Sequence, residues 1–136
     1  MKIKNTNKIY NTDKIREFIK LVKPSGISNF AVTIQNTRDN HFYGKAFCSG
    51  KWLGLRIGKC KLPAITYKPK NSGYLKIQLF TQDEILIYVL AHELRHLWQA
   101  KHKRGYRYYN AKSQFSERDC DCYALHKLRQ FRRGEL

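Results

Sequence analysis

Long apolar runs are missing from this sequence, and so is any paired-cysteine motif. No stretch approaches the roughly 18 consecutive apolar residues that a membrane-spanning helix needs. The first residues are followed by polar ones rather than by the apolar segment of a signal peptide. We therefore expect a cytoplasmic protein without a membrane partner. Its four cysteines contain no CxxC pair and are expected to stay reduced in that compartment.

Acidic residues are also scarce. The chain has 10 Asp and Glu against 27 Lys and Arg, which gives a formal net charge of +17. Such a charge attracts polyanions, and the nine Tyr, seven Phe and two Trp include rings that can stack on exposed bases. A nucleic-acid partner, bound through the basic surface, is therefore one interpretation of the composition. The other is a lysine-rich surface that is simply well solvated.

The length of the chain and the lack of a dividing linker predict a single domain over residues 1–136, and the predicted elements make its class α+β. A first helix is predicted to start at Asn11 or Thr12, either of which can cap it, and to end at Pro24. Apolar residues recur there at helical spacing: Ile15, Phe18, Ile19 and Val22. Short β-rich runs follow: Phe30 to Gln35, Phe42 to Cys48, Trp52 to Ile57, Ala64 to Tyr67, and Tyr74 to Phe80. Asn71-Ser72-Gly73 predicts a hairpin turn before the last run. We expect a small, twisted, mainly antiparallel sheet.

Two helices are predicted after the sheet. Thr81 and Glu84 form a capping box, so a central helix should start there and continue to about Lys101. Apolar residues lie on both of its sides, which predicts that this helix is covered nearly all round. Ser116 is expected to cap the last helix, which runs to about Arg133.

The central helix carries the motif His92-Glu93-Leu94-Arg95-His96. Residues four apart lie on the same side of a helix, so both imidazoles can bind one ion. Neutral imidazole suits Zn²⁺, which lowers the pKa of a bound water, and Glu93 can accept the proton of that water. The alternative is an ordinary helix with two histidines and a glutamate. We favour the metal because buried polar groups need partners.

The last helix offers a third ligand. Glu117 and Asp121 fall on its apolar face, whereas Asp119 points away. We expect Glu117 to bind the zinc ion and Asp121 to accept a hydrogen bond from the far nitrogen of a ligating histidine. Two alternatives stay open. Lys or Arg side chains can pair with these carboxylates, or His102 can be the third ligand, at the spacing of HExxHxxGxxH but with Gln99 in place of the glycine.

At these residues the sequence resembles the gluzincin group of zinc peptidases, whose pattern is HExxH followed downstream by ExxxD. The matching segments are His92-Glu93-Leu94-Arg95-His96 and Glu117-Arg118-Asp119-Cys120-Asp121. The second segment, continued to Ala124, is similar to the signature of ImmA/IrrE-type peptidases, and the compact strands before a two-helix site resemble minigluzincins. The resemblance covers about residues 81–131 and implies a zincin-like fold with a ligand-bearing C-terminal helix.

The resemblance implies a zinc-dependent endopeptidase that hydrolyses peptide bonds with a metal-activated water. It implies His92, His96 and Glu117 as zinc ligands, Glu93 as the general base and Asp121 as the partner of a ligating histidine. Polypeptide substrates would bind as an extra strand along a sheet edge. The residue that stabilises the oxyanion is not identified, and the candidates are His102, Tyr106, Tyr108 and Tyr109.

Two further interpretations stay open. The chain also resembles SprT-like peptidases, which act on DNA-bound proteins and would suit the basic charge, but their downstream third histidine and zinc ribbon are absent. The alternative outside the enzymes is a basic nucleic-acid-binding domain in which zinc is structural or absent. Cys48 and Cys60 are interpreted as buried thiols rather than a second zinc site, and Cys122 is expected to face outward.

Overall fold

Strands and the first helix form the N-terminal part of the chain, and its last two elements are long helices. The computed structural model describes residues 1–47, 51–66, 75–102 and 114–136, except for the side chains of residues 114 and 115. Within these ranges the elements are β1 (Lys2–Asn5), α1 (Thr12–Val22), β2 (Ala31–Gln35), β3 (Phe42–Ala46), β4 (Trp52–Ile57), β5 (Ala64–Ile65), β6 (Gln78–Leu79), α2 (Gln82–His102) and α3 (Gln114–Arg132). The predicted α+β class is confirmed.

The first helix forms as its sequence predicts. The Asn11 side chain accepts a hydrogen bond from the backbone N–H of Lys14 at 2.7 Å, which satisfies one of the free donors at the helix start. The four predicted apolar residues are all buried: Ile15, Phe18, Ile19 and Val22. Burial of each such side chain contributes roughly 1.5–3 kcal/mol, so one face fixes α1 on the domain.

The main sheet is mixed rather than mainly antiparallel, and that part of the prediction is wrong. Its strand order is β1-β2-β4-β3, with β1 parallel to β2, β2 parallel to β4, and β3 antiparallel to β4. The strand β4 lies between β2 and β3, so β2 and β3 are not paired although they are consecutive in the chain. It also missed β1, whose four residues alternate lysine with Ile3 and Asn5 and carry too weak a pattern to stand out.

The central helix α2 lies against the inner side of this sheet and beside α3. Thr81 caps it, since its hydroxyl accepts from the N–H of Glu84 at 3.0 Å, and the Glu84 carboxylate accepts from the N–H of Phe80 at 3.0 Å. The helix is buried over almost every residue from Glu84 to Leu97, as predicted. Among the described residues, no helix is long and apolar enough to cross a membrane.

The last helix begins earlier than predicted. It starts at Gln114, so Ser116 lies inside it, and the Ser116 side chain is buried against α2 instead of capping the helix. Upstream, β5 and β6 form a separate antiparallel pair, with Ala64 beside Leu79. The predicted turn at Asn71-Ser72-Gly73 and the strand ends at Tyr67 and Tyr74 lie outside the described residues.

Candidate metal centre

Packing of α2 against α3 brings the predicted histidines and Glu117 together. The Nε2 atom of His92 lies 3.0 Å from Oε2 of Glu117, and the Nε2 atom of His96 lies 3.1 Å from Oε1 of the same carboxylate. All three side chains are buried. One carboxylate therefore spans the two nitrogens that a helix presents at positions four apart.

The far nitrogen of His92 faces Asp121. Its Nδ1–H donates to Oδ1 of Asp121 at 2.8 Å, because a carboxylate can only accept. Asp121 is 1% exposed and also accepts from the Tyr88 hydroxyl at 2.8 Å and from the N–H of Leu75 at 2.7 Å. Three donors thus fix the carboxylate, and the carboxylate fixes the His92 ring with Nε2 directed to Glu117.

His96 is held by residues that were not predicted to support it. Its Nδ1 lies 3.0 Å from Oε1 of Gln99, which also accepts from the Ser116 hydroxyl at 2.7 Å. The amide nitrogen of Gln99 donates to the Ser116 carbonyl at 3.0 Å and to Asp119 at 2.9 Å. These two acceptors set the amide orientation, so His96 Nδ1 is the donor and its Nε2 faces Glu117. The sequence feature that could have indicated this role is the position of Gln99, an amide about one turn after His96 on a helix predicted to be buried.

Asp119 contributes to this support and does not point away, so that prediction is wrong. Its carboxylate accepts from Nε of Arg95 at 2.9 Å and from the second guanidinium nitrogen at 3.2 Å. Arg95 also lies over the Trp98 ring, 3.8 Å from its centroid. Asp119 lies at the margin of the helix interface, where a long arginine from α2 reaches it. The positive charge of Arg95, within the motif, is therefore paired.

Glu117 and Asp121 have no Lys or Arg partner in the described part of the chain; their partners there are His92, His96, Tyr88 and Leu75. The alternative in which Lys or Arg pairs with these two carboxylates is therefore excluded among the described residues. Burial disfavours the charged form of His92, but hydrogen bonds to Asp121 and Glu117 outweigh it and raise the pKa of His92 to about 10. Burial opposes ionisation of Glu117 too, yet its bonds to His92 and His96 lower its pKa to about 2. A protonated imidazole thus supplies positive charge to the buried acids.

Glu93 lies beside the histidines and faces a cleft. Its Oε1 is 3.8 Å from Nε2 of His92. Burial raises the pKa of the Glu93 carboxyl, while the nearby His92 and His96 rings oppose the rise. The cleft has a volume of about 110 Å³ and is bordered by Phe42 and Gly44 of β3 and by His92 and Glu93.

Gly44 brings the sheet close to this carboxylate. A Cβ atom at position 44 would lie 2.6 Å from Cγ and 2.7 Å from Oε1 of Glu93. Real Cβ atoms essentially never lie within 3.0 Å of such a heavy atom, so a larger residue at position 44 would shift the Glu93 side chain or the strand. The glycine therefore allows the edge strand to border the site directly.

Cys120 is a further donor near the histidines. Ligand atoms of His92, His96 and Cys120 all lie within 4.8 Å of one another, and Cys120 is fully buried. Burial raises the pKa of its thiol well above the usual range, and the nearby carboxylates Glu93 and Glu117 add to the rise. This buried group could bind a metal ion.

His102 does not join the cluster. It is exposed at the end of α2, where its Nδ1 lies 3.2 Å from the Trp98 carbonyl and its ring stacks on Trp98 with centroids 5.1 Å apart. Cys60 is buried and Cys122 is exposed, as predicted. Cys48 and the tyrosines considered for the oxyanion, Tyr106, Tyr108 and Tyr109, lie outside the described residues.

The donor set fits a zinc ion. Each histidine donates its Nδ1–H to an acceptor, so each Nε2 keeps a lone pair once it loses its proton. Imidazole nitrogen, carboxylate oxygen and thiolate sulfur are the donors that zinc takes in proteins. A buried site with oriented imidazoles also meets the requirement for a fixed coordination geometry.

Comparison with known proteins leaves the site to be interpreted from its own residues. No protein-family model, curated protein or solved structure matches the chain.

Proposed function

We propose that this chain is a zinc-dependent endopeptidase. The observation that carries the proposal is the convergence of two oriented Nε2 atoms, from His92 and His96, on the Glu117 carboxylate at 3.0 and 3.1 Å. These three residues would hold the ion, and Asp121 would orient His92. Bound there, Zn²⁺ would lower the pKa of a water molecule and polarise a substrate carbonyl.

Glu93 is the proposed general base. It lies on the cleft side of the histidines, and burial raises the pKa of its carboxyl. A carboxylate with a raised pKa accepts a proton more readily than a solvated one and can pass it on afterwards. In the proposed reaction Glu93 takes a proton from the attacking water and delivers it to the leaving amine.

The edge strand β3 is the proposed binding site for the substrate backbone. Among the described strands it pairs only with β4, and it borders the cleft through Phe42, Tyr43 and Gly44. A polypeptide can add to such an edge through main-chain hydrogen bonds, which suit a substrate of varied sequence. Gly44 keeps the strand close enough to Glu93 for a bound carbonyl to reach the site.

Elemental analysis combined with hydrolysis of a diverse peptide mixture tests this proposal. New peptide termini are detected by mass spectrometry, so no cleavage specificity needs to be assumed. Zinc-loaded wild type should cut the mixture, and Glu93→Gln should keep its zinc but lose roughly 10²–10⁴-fold in rate. The matched control is Glu17→Gln, the same substitution at an exposed position of α1.

Three outcomes distinguish the parts of the proposal. A wild-type protein that takes up no zinc removes the metal centre. A zinc-loaded wild type that produces no new termini removes the peptidase activity. Undiminished cleavage by Glu93→Gln, with the control also active, removes the assigned role of Glu93 alone.

A further inference from the structure

The sheet has a second side that α1 and α2 do not cover. Alternate residues of β2 and β4 point to the helices and are buried: Val32, Ile34, Leu53, Leu55 and Ile57. The residues between them point the other way. The outer face, as we call this side, carries Lys4, Tyr43, Lys45, Phe47, Trp52 and Arg56.

Aromatic rings of the outer face are held in place. The Trp52 indole passes across Gly54, since a Cβ atom at position 54 would lie 2.7 Å from Cη2 of Trp52. Its Nε1–H donates to the Thr33 hydroxyl at 3.1 Å. The Phe47 ring lies beside it, with centroids 4.4 Å apart and a tilt of 46°, and Phe47 is 45% exposed. Two neighbouring rings thus form a surface that needs little ordering before a ligand binds.

Cationic side chains flank these rings. Lys45 lies opposite Gly54 and Arg56 lies opposite Tyr43 in the antiparallel pair, while Lys4 lies two strands away. None of the described strand positions on the outer face holds an acidic residue. Asp39, in the turn before β3, accepts a hydrogen bond from the Tyr43 hydroxyl. The two rings and the cations Lys45 and Arg56 border an open groove of about 960 Å³.

We propose that the outer face binds single-stranded nucleic acid, with bases stacked on Trp52 and Phe47 and phosphates beside Lys45 and Arg56. Nucleic-acid bases stack on flat exposed rings, and their phosphates are attracted to cations. One ligand therefore accounts for both the rings and the cations of the outer face. A duplex keeps its base faces covered. An acidic peptide would use the charges but not the rings. A second copy of this chain would meet the same net charge of +17.

Fluorescence anisotropy with a labelled oligothymidylate of twelve nucleotides tests the location of binding. Lys45→Gln with Arg56→Gln should weaken binding by tenfold or more. Lys20→Gln with Arg129→Gln removes the same charge from exposed positions on α1 and α3 and should change affinity less than about threefold. Equal losses in the two double variants would show diffuse charge attraction and overturn the proposal.

Stacking on Trp52 has its own readouts. Loss of a stacked base costs about 1–3 kcal/mol, so Trp52→Leu should weaken binding roughly 5- to 150-fold. Trp98→Phe leaves Trp52 as the sole tryptophan, and its emission should be quenched as the oligonucleotide binds. This second measurement leaves the outer face intact, so it decides the matter even where Trp52→Leu fails to fold. Unchanged emission at saturation overturns the proposal.

Competition completes the test. An unlabelled duplex of equal length or an acidic peptide of equal charge should compete at least tenfold less well than the single strand. Equal competition by either one would assign the outer face to that class of partner and overturn the proposal. Glu93→Gln should bind the oligonucleotide like wild type, so failure of this proposal and failure of the peptidase proposal are separate results.

Discussion

The interface between α2 and α3 and the outer face of the sheet handle charge in opposite ways. Four of the ten acidic residues of this strongly basic chain are buried, and three of them lie in the candidate metal centre: Glu93, Glu117 and Asp121. The cations of the outer face are exposed instead. Buried charges act through fixed geometry and defined partners, whereas exposed charges act through their number and are screened by salt. Substitutions should therefore have large, specific effects in the first region and smaller, graded effects in the second.

The largest effect is expected from Glu117, the proposed third metal ligand. Glu117→Ala removes the oxygens that face both histidines, and it should weaken zinc affinity by more than about a hundredfold, since even a residue that only orients a ligand contributes 10–100-fold. Cys120→Ala should weaken it less than about fivefold. Competition with a chromophoric chelator measures both. The reverse ranking would make Cys120, rather than Glu117, the third ligand.

A smaller effect on activity is expected from substitution of two glycines, one on each face of the sheet. Gly44→Ala would bring Cβ within 2.6 Å of Glu93, so hydrolysis should fall about a hundredfold while zinc is retained, because small displacements of a catalytic group are costly. Gly54→Ala would bring Cβ within 2.7 Å of Trp52 on the outer face, and it should alter oligonucleotide binding but not hydrolysis. Rates and affinities measured on both variants check this. Loss of both activities in either variant would mean that the two faces are not independent.

Patterns within one element were enough to predict much of this molecule. The four apolar residues of α1, the Thr81 cap and the nearly complete burial of α2 follow from local spacing. The approach of Glu117 to the histidines was also predicted, because a carboxylate on an apolar helix face needs a buried partner. The direction of β4 does not follow, because it depends on which strand inserts between two others.

The hydrogen bonds that hold His96 depend on how α2 packs against α3. A helical wheel places Asp119 outside the apolar face of α3, and it places Gln99 on α2 without a reason for its burial. Only the pairing of α2 with α3 brings Gln99, Ser116 and Asp119 together. Sequence spacing within each helix contains no information on that register, so this network could not be predicted.

Gln99 offers the mildest test of the buried region. Gln99→Met keeps the size of the side chain but removes the acceptor for His96 Nδ1, so the ring loses the bond that orients Nε2. Zinc affinity should fall about tenfold, less than for Glu117→Ala, because the ligand itself remains. Gln130→Met is the matched control: Gln130 lies on α3, and its buried Oε1 accepts no hydrogen bond among the described residues. If chelator competition shows equal zinc affinity for the two variants, Gln99 only fills space, and His96 is oriented by the packing of α2 against α3.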